Sequence, residues 1–84
     1  MTHYVYIVEC SDGTYYCGYT NNLNSRIKVH NYSKTGAKYT KSRRPVKLVY
    51  SEELRSKTQA MKREAEIKRL TRGKKKMLVL SNKG

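Results

Sequence analysis

Tyrosine hydroxyls are concentrated near the start of the chain. Five of the eight tyrosines lie between Tyr4 and Tyr19, in a sequence that has no Phe and no Trp. A buried phenol needs a hydrogen-bond partner, so a purely structural core favours aromatic rings without a hydroxyl. The exclusive use of Tyr therefore indicates that some of these hydroxyls have a role beyond packing.

Hairpin register decides which of these tyrosines share a face. Residues 3–10 and 14–20 predict two strands around a short loop. A two-residue turn pairs Tyr6 with Tyr19 and sends Tyr6 and Tyr16 to opposite faces. A three-residue turn, with Gly13 in the left-handed conformation, pairs Tyr6 with Gly18 and puts Tyr6 and Tyr16 on one face, with Tyr4. We favour the second register, because it collects the more apolar side chains on the other face: Val5, Ile7, Cys17 and Tyr19. It also leaves Gly18 opposite Tyr6, with room for the backbone of a substrate.

Glu64 is a carboxylate on the inward side of a predicted helix. Ala60, Glu64 and Ile67 follow one another at helical spacing, so Glu64 lies in the stripe that faces the sheet. An ionised carboxylate is costly there unless a cation meets it. Two interpretations remain open, namely a salt bridge to Arg26 or another basic residue, and a ligand of a metal ion.

Arg26 and His30 lie one turn apart on another predicted helix, which Asn21 and Asn22 cap. A guanidinium group presents a planar fork that suits phosphate oxygens. Arg26 is equally consistent with a solvated surface charge, and His30 with a capping or core histidine on the same side as Leu23 and Ile27.

The remaining segments predict the elements that position these groups. Residues 31–45 form a polar, basic loop, and Pro45 opens a third strand over residues 46–50. Ser56 and Gln59 have the spacing of a capping box, which begins a helix that runs to about Leu70. Residues 71–73 interrupt it, and residues 74–80 form one more short helix. The order β-β-α-β-α-α predicts an α+β fold, with helices flanking a small three-stranded antiparallel sheet.

Size and charge limit the function classes. A chain of 84 residues supports one domain, here residues 1–84 with a frayed tail at 81–84. Nineteen Lys and Arg against six acidic residues give a net charge of +13, which favours nucleic acid as the partner over an anionic membrane surface.

No apolar run approaches the length of about 20 residues that spans a bilayer, and no signal peptide is present, so we expect a cytoplasmic protein. Cys10 and Cys17 have no zinc-site spacing with His3 or His30, and no disulfide is expected.

Together these residues resemble the GIY-YIG nuclease family. The two motif tripeptides correspond to Tyr4-Val5-Tyr6 and Tyr16-Cys17-Gly18, with about ten residues between them. Arg26 lies at the corresponding position of the family's helix and is followed by His30. Glu64 matches the family's metal-binding acid. The resemblance covers nearly the whole chain and is greatest to the small single-domain bacterial GIY-YIG proteins of unassigned function. Residues 36–45 are also similar to the nuclease subunit of endonucleases that cut branched DNA.

The resemblance implies metal-dependent hydrolysis of a phosphodiester. By analogy, Tyr16 helps to deprotonate the attacking water, Tyr6 positions the water or the phosphate, and His30 assists them. Arg26 neutralises charge that develops on the phosphate, and Glu64 holds one Mg²⁺ or Mn²⁺ ion. A free phenol has a pKa of about 10. A phenolate near neutral pH therefore needs positive neighbours, which a metal ion and Arg26 provide.

We expect DNA, branched or containing single strands, to be recognised by its structure and not by its sequence, and we favour a monomer. The predicted nucleic-acid contacts are Lys38, Tyr39, Lys41, Arg43, Arg44, Lys74, Lys75 and Lys76. Such phosphate contacts are steeply salt-dependent and carry little sequence preference. Two alternatives are a non-catalytic nucleic-acid-binding protein that retains the fold, and a basic structural or ribosome-associated protein.

Overall fold

The computed structural model describes residues 2–32 and 43–81. Three strands and three helices follow one another in the predicted order β-β-α-β-α-α, which confirms the α+β class. The elements are β1 His3–Glu9, β2 Tyr15–Thr20, α1 Leu23–Tyr32, β3 Lys47–Leu54, α2 Lys57–Lys68 and α3 Arg72–Ser81. No helix within these ranges is long and apolar enough to cross a bilayer. The predicted frayed tail lies outside the described residues except for Ser81, which ends α3.

A three-residue loop joins β1 and β2, as predicted. Gly13 has φ +83°, and its N–H donates to the carbonyl of Cys10 at 2.9 Å. The N–H of Cys10 in turn donates to the carbonyl of Thr14 at 2.8 Å, which closes the loop. Only a residue without a side chain adopts this left-handed conformation without strain. Tyr6 consequently pairs with Gly18, and the tyrosine register is confirmed.

The sheet has the order β2-β1-β3 with antiparallel pairing, so β1 is central and β2 lies at an edge. Residues 5–8 of β1 are all buried, because both faces of the sheet are covered. The side chains of one face pack with α2 and α3 in a cluster of Val5, Ile7, Cys17, Tyr50, Ala60, Ile67 and Val79. Those of the other face pack with α1 in a cluster of Tyr6, Val8, Cys10 and Val46, joined by Tyr16, Leu23 and Ile27. Both cysteines are free and buried, on opposite faces.

α1 and β3 both continue further along the chain than predicted. α1 extends to Tyr32, so residues 31 and 32 are helical and not part of the loop. The amide of Asn31 explains this order, since it accepts from the N–H of Val46 at 2.7 Å and donates to the Val46 carbonyl at 3.1 Å. β3 continues to Leu54, beyond the predicted end at Tyr50. Its polar second half stays extended because it pairs with β1, with Glu52 opposite Val5.

The helix caps follow from side chains next to each helix. Ser56 is the N-cap of α2 and accepts from the N–H of Gln59 at 3.2 Å, as the capping box predicts. The Gln59 side chain instead accepts from the N–H of Arg55, one residue before the expected donor. α2 ends at Lys68, two residues earlier than predicted. The predicted interruption at 71–73 is the start of α3, where Thr71 accepts from the N–H of Lys74 at 3.3 Å.

Glu52 connects α2 to the sheet. Its Oε2 atom accepts a 2.7 Å hydrogen bond from the hydroxyl of Tyr50 and a 3.0 Å bond from Nε of Arg63. Burial and the bond to Glu52 raise the pKa of Tyr50, and the same carboxylate raises the pKa of Arg63. Arg63 directly precedes Glu64, so this carboxylate also fixes the rotation of α2 that sets the direction of the Glu64 side chain.

Glu52→Gln therefore weakens the contact between α2 and the sheet. We expect the free energy of unfolding to fall by about 1 kcal/mol, since two hydrogen bonds lose their ionised acceptor in a partly exposed place. Glu53→Gln is the matched control, because the neighbouring carboxylate is exposed, and its effect should stay within about 0.5 kcal/mol. Urea unfolding of both variants measures the difference, and equal effects would contradict this role of Glu52.

Candidate active site at the edge of the sheet

A cavity of about 680 Å³ lies where α1 and α2 approach the edge strand β2. All five residues predicted to act in catalysis or metal binding line it: Tyr6, Tyr16, Arg26, His30 and Glu64. Tyr6 and Tyr16 come from the sheet, Arg26 and His30 from α1, and Glu64 from α2. Residues separated by up to 58 positions therefore converge on one polar depression.

Tyr6 and His30 form the buried wall of this cavity. Tyr6 is 2% exposed and His30 is 1% exposed, and the Tyr6 hydroxyl lies 2.8 Å from Nε2 of His30. Burial raises the pKa of Tyr6, and the nearby Tyr16 adds to this effect. Burial lowers the pKa of His30, and the charges of Arg26 and Arg44 lower it further. Both groups are thus neutral near pH 7, and a single hydrogen bond joins them.

Tyr16 is the more accessible of the two phenols. Its ring packs edge-on against His30, with the ring centres 5.3 Å apart and an interplanar angle of 67°. Tyr6 meets the same imidazole at 5.8 Å and 63°. Tyr16 is only partly buried while Tyr6 is almost fully buried. Tyr16 is therefore the phenol that is accessible from the cavity, and Tyr6 holds the imidazole in place.

The phenol of Tyr6 fills the space beside Gly18. A methyl group on Gly18 would lie 2.5 Å from the Tyr6 hydroxyl oxygen and 2.7 Å from Cζ. The expectation that a substrate backbone occupies this space is therefore wrong, because Tyr6 occupies it. Gly18 is needed so that Tyr6 can lie flat across β2 and reach His30.

Arg26 stands at the open side of the cavity. It is exposed, one turn before His30 on α1. Within residues 2–32 and 43–81 its guanidinium group makes no salt bridge or side-chain hydrogen bond. This cation is thus oriented by its helix and available to an anionic ligand.

Glu64 enters the cavity from the other face of the sheet. It lies on α2 between Ala60 and Ile67, both fully buried, and its own side chain is 20% exposed. Its salt-bridge partner is Lys68, with Nζ and Oε1 3.6 Å apart, and not Arg26. Burial and the negative charge of Glu64 raise the pKa of Cys17 to about 11. An exposed pair one turn apart is weak, so the carboxylate remains able to bind a second cation.

The residues present fit a hydrated divalent ion. Among the residues that the structure describes, no three His, Cys, Asp or Glu side chains cluster as a complete metal site. Mg²⁺ does not need one, because it is often bound through one or two carboxylates, with substrate phosphates and water as its other ligands. Glu64 supplies such a carboxylate at the mouth of a cavity that a phosphate group can enter.

The residues predicted to bind nucleic acid lie apart from this cavity. Lys38, Tyr39 and Lys41 fall outside the described residues. Lys74, Lys75 and Lys76 lie on α3 and do not line the cavity. Their role in binding stays a prediction.

Arg43 and Arg44 have partners within the chain that sequence reasoning did not anticipate. Arg43 forms a 3.0 Å salt bridge with Asp12 of the hairpin loop, and its carbonyl accepts from the N–H of Ser11 at 2.9 Å. Arg44 donates from Nε to the carbonyl of His30 and from a terminal nitrogen to that of Val29, 3.3 Å away. Both arginines therefore anchor the chain that enters β3, beside any part they take in binding.

The cavity is also lined by five side chains that were not predicted from the sequence to belong to the site: His3, Tyr19, Thr20, Asn21 and Lys57. The sequence pattern contained an indication of three of these side chains. His3 and Tyr19 lie on the same face of the predicted hairpin as Val5, and Lys57 lies two helical turns before Glu64. The convergence of these faces at one end of the sheet was not visible in the sequence.

A family model for the GIY-YIG catalytic domain matches residues 2–77. The chain belongs to the GIY-YIG family. A UPF0213 protein of Syntrophus aciditrophicus is 54% identical over 80 residues, which cover 95% of this chain and 92% of the relative. A UPF0213 protein of Staphylococcus aureus is 55% identical over 78 residues, covering 93% and 94% of the two chains. These names state no activity.

Two solution NMR structures share the GIY-YIG fold of this chain. A UPF0213 protein of Bacillus halodurans is 50% identical, with a TM-score of 0.64, and the match covers 100% of this chain and 88% of that one. A protein from E. faecalis is 40% identical, with a TM-score of 0.66 and coverage of 96% and 85%. The resemblance seen in the motifs is confirmed. GIY-YIG nucleases generally use divalent metal ions, and the family suggests a nucleic-acid substrate.

Gly18→Ala should break the contact between Tyr6 and His30. The added methyl group forces the Tyr6 ring out of its place, and overpacking of this kind costs about 1–3 kcal/mol of stability. Gly73→Ala is the matched control, because nothing lies within 4 Å of the added atom, and in a helix it should be neutral or stabilising by up to about 1 kcal/mol. Thermal unfolding and near-ultraviolet circular dichroism of the tyrosines compare the two variants. Equal stability would show that Tyr6 does not need the space at Gly18.

His30 should make stability fall on acidification. Its folded pKa lies below the ordinary value of 6.5, so the unfolded chain binds more protons than the folded chain as the pH drops. The free energy of unfolding should decrease as the pH falls through and below 6.5, the ordinary pKa of histidine, and His30→Gln should remove much of that decrease. Urea unfolding at several pH values measures it. His3→Gln removes the other histidine and should retain the decrease, and an unchanged pH dependence in His30→Gln would contradict this assignment.

Proposed function

We propose that this GIY-YIG protein is a divalent-metal-dependent endonuclease that hydrolyses DNA phosphodiester bonds and selects DNA by structure, not by sequence. One observation carries the proposal. Two phenols, an imidazole, a guanidinium group and a carboxylate line a single cavity, in a chain with a net charge of +13. This set supplies the positioned acid–base and charged groups that phosphoryl transfer requires.

Tyr16 has the role of the base in this proposal. It is the accessible phenol, and it faces the cavity between the buried His30 and the exposed Arg26. Phenols act as bases near neutral pH only beside cations. Arg26 supplies one such charge, and the same guanidinium group neutralises charge that develops on the phosphate.

Tyr6 and His30 have a positioning role. The raised pKa of Tyr6 keeps its proton on the oxygen, so Tyr6 does not act as a base. Its 2.8 Å hydrogen bond fixes the ring of His30, against which Tyr16 packs. The pair therefore sets the direction from which the Tyr16 hydroxyl meets a water molecule or a phosphate.

Glu64 is the residue that would hold one Mg²⁺ or Mn²⁺ ion. When bound, such an ion supplies positive charge beside the leaving oxygen and beside the phenols. The protein contributes this carboxylate, which is 20% exposed and lines the cavity. Its partner Lys68 is more exposed than Glu64, so their salt bridge is weak.

Selection of DNA by structure is supported by the kind of groups around the cavity. They are directed to phosphate and not to base edges, and the predicted contacts on α3 are lysines, which bind phosphate without reading sequence. Branched DNA, or DNA with single strands, gives the edge of a small sheet better access to the backbone than a continuous duplex does. A monomeric, single-domain, cytoplasmic protein stays a prediction.

A non-catalytic nucleic-acid-binding protein is the second candidate. One observation favours it, since Glu64 already has a cationic partner in Lys68, 3.6 Å away. In that case the carboxylate only neutralises a neighbouring lysine. DNA binding would then be insensitive to divalent metal and to Glu64→Gln, but would weaken when Lys74, Lys75 and Lys76 are neutralised.

Cleavage of labelled flap, branched and duplex DNA of one sequence tests the proposal, with Mg²⁺, with Mn²⁺ and with a chelator. We expect metal-dependent strand scission that is fastest on the branched or flap substrates. Tyr16→Phe and Glu64→Gln should each lower the rate by at least about 100-fold, the usual loss for a removed acid–base or charged group.

Two variants are matched controls for this experiment. Tyr15→Phe removes a neighbouring hydroxyl on the opposite face of β2, and Glu66→Gln removes an exposed carboxylate of α2 that does not line the cavity. Both should retain the parent rate. The endonuclease proposal fails if no metal supports scission by the parent, or if Tyr16→Phe and Glu64→Gln cut as fast as their controls.

A further inference from the structure

The half of the cavity on the α2 side contains polar groups that the proposed reaction does not use. His3 begins β1, Tyr19 lies near the end of β2, and Lys57 is the first residue of α2. Val5 pairs with Tyr19, so Tyr19 and His3 are neighbours on the face of the sheet that α2 covers. All three side chains line the same cavity as Glu64.

These three side chains have no partners in the part of the chain that the structure describes. His3, Tyr19 and Lys57 form no side-chain hydrogen bond or salt bridge with residues 2–32 or 43–81. Nδ1 of His3 is also buried without a partner among these described residues. Buried polar atoms are nearly always paired, so the described part of the chain does not complete the hydrogen bonding of this imidazole.

The ring nitrogen of His3 that a ligand can reach is Nε2. Nδ1 is buried and has no partner among the described residues, whereas Nε2 is not among the buried unpaired atoms. An imidazole carries a proton on at least one ring nitrogen. His3 is therefore able to present an N–H donor on the accessible side of its ring.

The donors match an anion with several oxygens. Lys57 offers an ammonium group, Tyr19 a hydroxyl group and His3 an N–H group. A tetrahedral phosphate accepts from several donors at once, and a cationic donor makes such bonds stronger. Glu64 is the carboxylate that lines the cavity, and it is the group assigned to a cation. The cavity therefore contains one place that favours a cation and another that favours an anion.

We propose that His3, Tyr19 and Lys57 form a second phosphate subsite, which binds a backbone phosphodiester next to the one that lies at Tyr16. The placement beside the scissile phosphate rests on the proposed function. Binding of a phosphodiester at the subsite does not, because it requires neither metal nor cleavage. The substrate strand thus crosses the edge of the sheet, with one phosphate near Arg26 and its neighbour near Lys57.

Imidazole NMR of the metal-free full chain tests this subsite directly. The protein has two histidines, His3 and His30, so long-range ¹H–¹⁵N spectra contain two ring systems. The probe is a thymidine strand of about six nucleotides without terminal phosphates, a length that small nucleic-acid sites accommodate. We expect the His3 ring signals to shift with saturation, and Lys57→Gln to raise the dissociation constant about fivefold through loss of a charged contact.

Lys62→Gln is the matched control. It removes an exposed lysine from the same helix, outside the cavity, and should change the dissociation constant less than twofold, as expected of one diffuse charge among many. Lys57→Gln exchanges a lysine at the start of a helix, where a cation is unfavourable, so folding is not at risk. The proposal is overturned if the His3 signals do not respond, or if both variants weaken binding equally.

Kinetics separate this subsite from the reaction centre. If the endonuclease activity is found, Lys57→Gln and Tyr19→Phe should raise KM severalfold and leave kcat within about twofold. The reason is that each variant removes a contact that binds the substrate and the transition state equally. A fall in kcat at unchanged KM would overturn the assignment as a binding subsite. If the parent protein does not cut DNA while His3 still responds to the strand, the endonuclease proposal fails and the phosphate subsite stands.

Discussion

The contact of Tyr6 with His30 across Gly18 is the constraint on which the site depends. It joins the central strand β1 to α1 through one 2.8 Å hydrogen bond between two almost fully buried groups. It is possible only because Gly18 has no side chain at the place where the phenol passes. A hairpin loop one residue shorter would pair Tyr6 with Tyr19 and send Tyr6 and Tyr16 to opposite faces of the sheet. The geometry of a three-residue loop is therefore as important to the site as any residue in the cavity.

The position of β2 at the edge of the sheet brings two faces into one site. Tyr6, Tyr16 and the residues of α1 belong to one face, and Glu64 on α2 belongs to the other. If β2 lay in the centre of a sheet, a strand on each side of it would separate the groups of one face from those of the other. At an edge, the cavity wraps around a single strand whose middle residue is Gly18. The phosphate-directed groups and the carboxylate are thus brought together across one strand, which suits a domain of this size.

Local chemistry made much of this arrangement predictable, and long-range contacts made the rest unpredictable. Gly13 and the apolar alternation in β1 predicted the register of Tyr6, and helical spacing predicted the inward side of Glu64. The second half of β3 was missed because its residues 51–53 are polar, and they are extended only through pairing with β1. The anchoring of Arg43 on Asp12 joins positions 31 residues apart. No spacing rule predicts such a pair, or that His3 and Lys57 line the same cavity.

Charge balance links the two ligands of the proposed enzyme. A single carboxylate in a protein of net charge +13 attracts a divalent cation weakly, because the surrounding lysines and arginines repel it. A nucleic-acid strand in the cavity changes this balance, since its phosphates neutralise the cations and offer further oxygen ligands beside Glu64. Each ligand then favours the other by the same factor, as linkage requires. Under the proposed function, a site with one acidic residue would therefore become a full metal site only when its polyanionic substrate is present. The complete set of reacting groups would then exist only in the complex with nucleic acid.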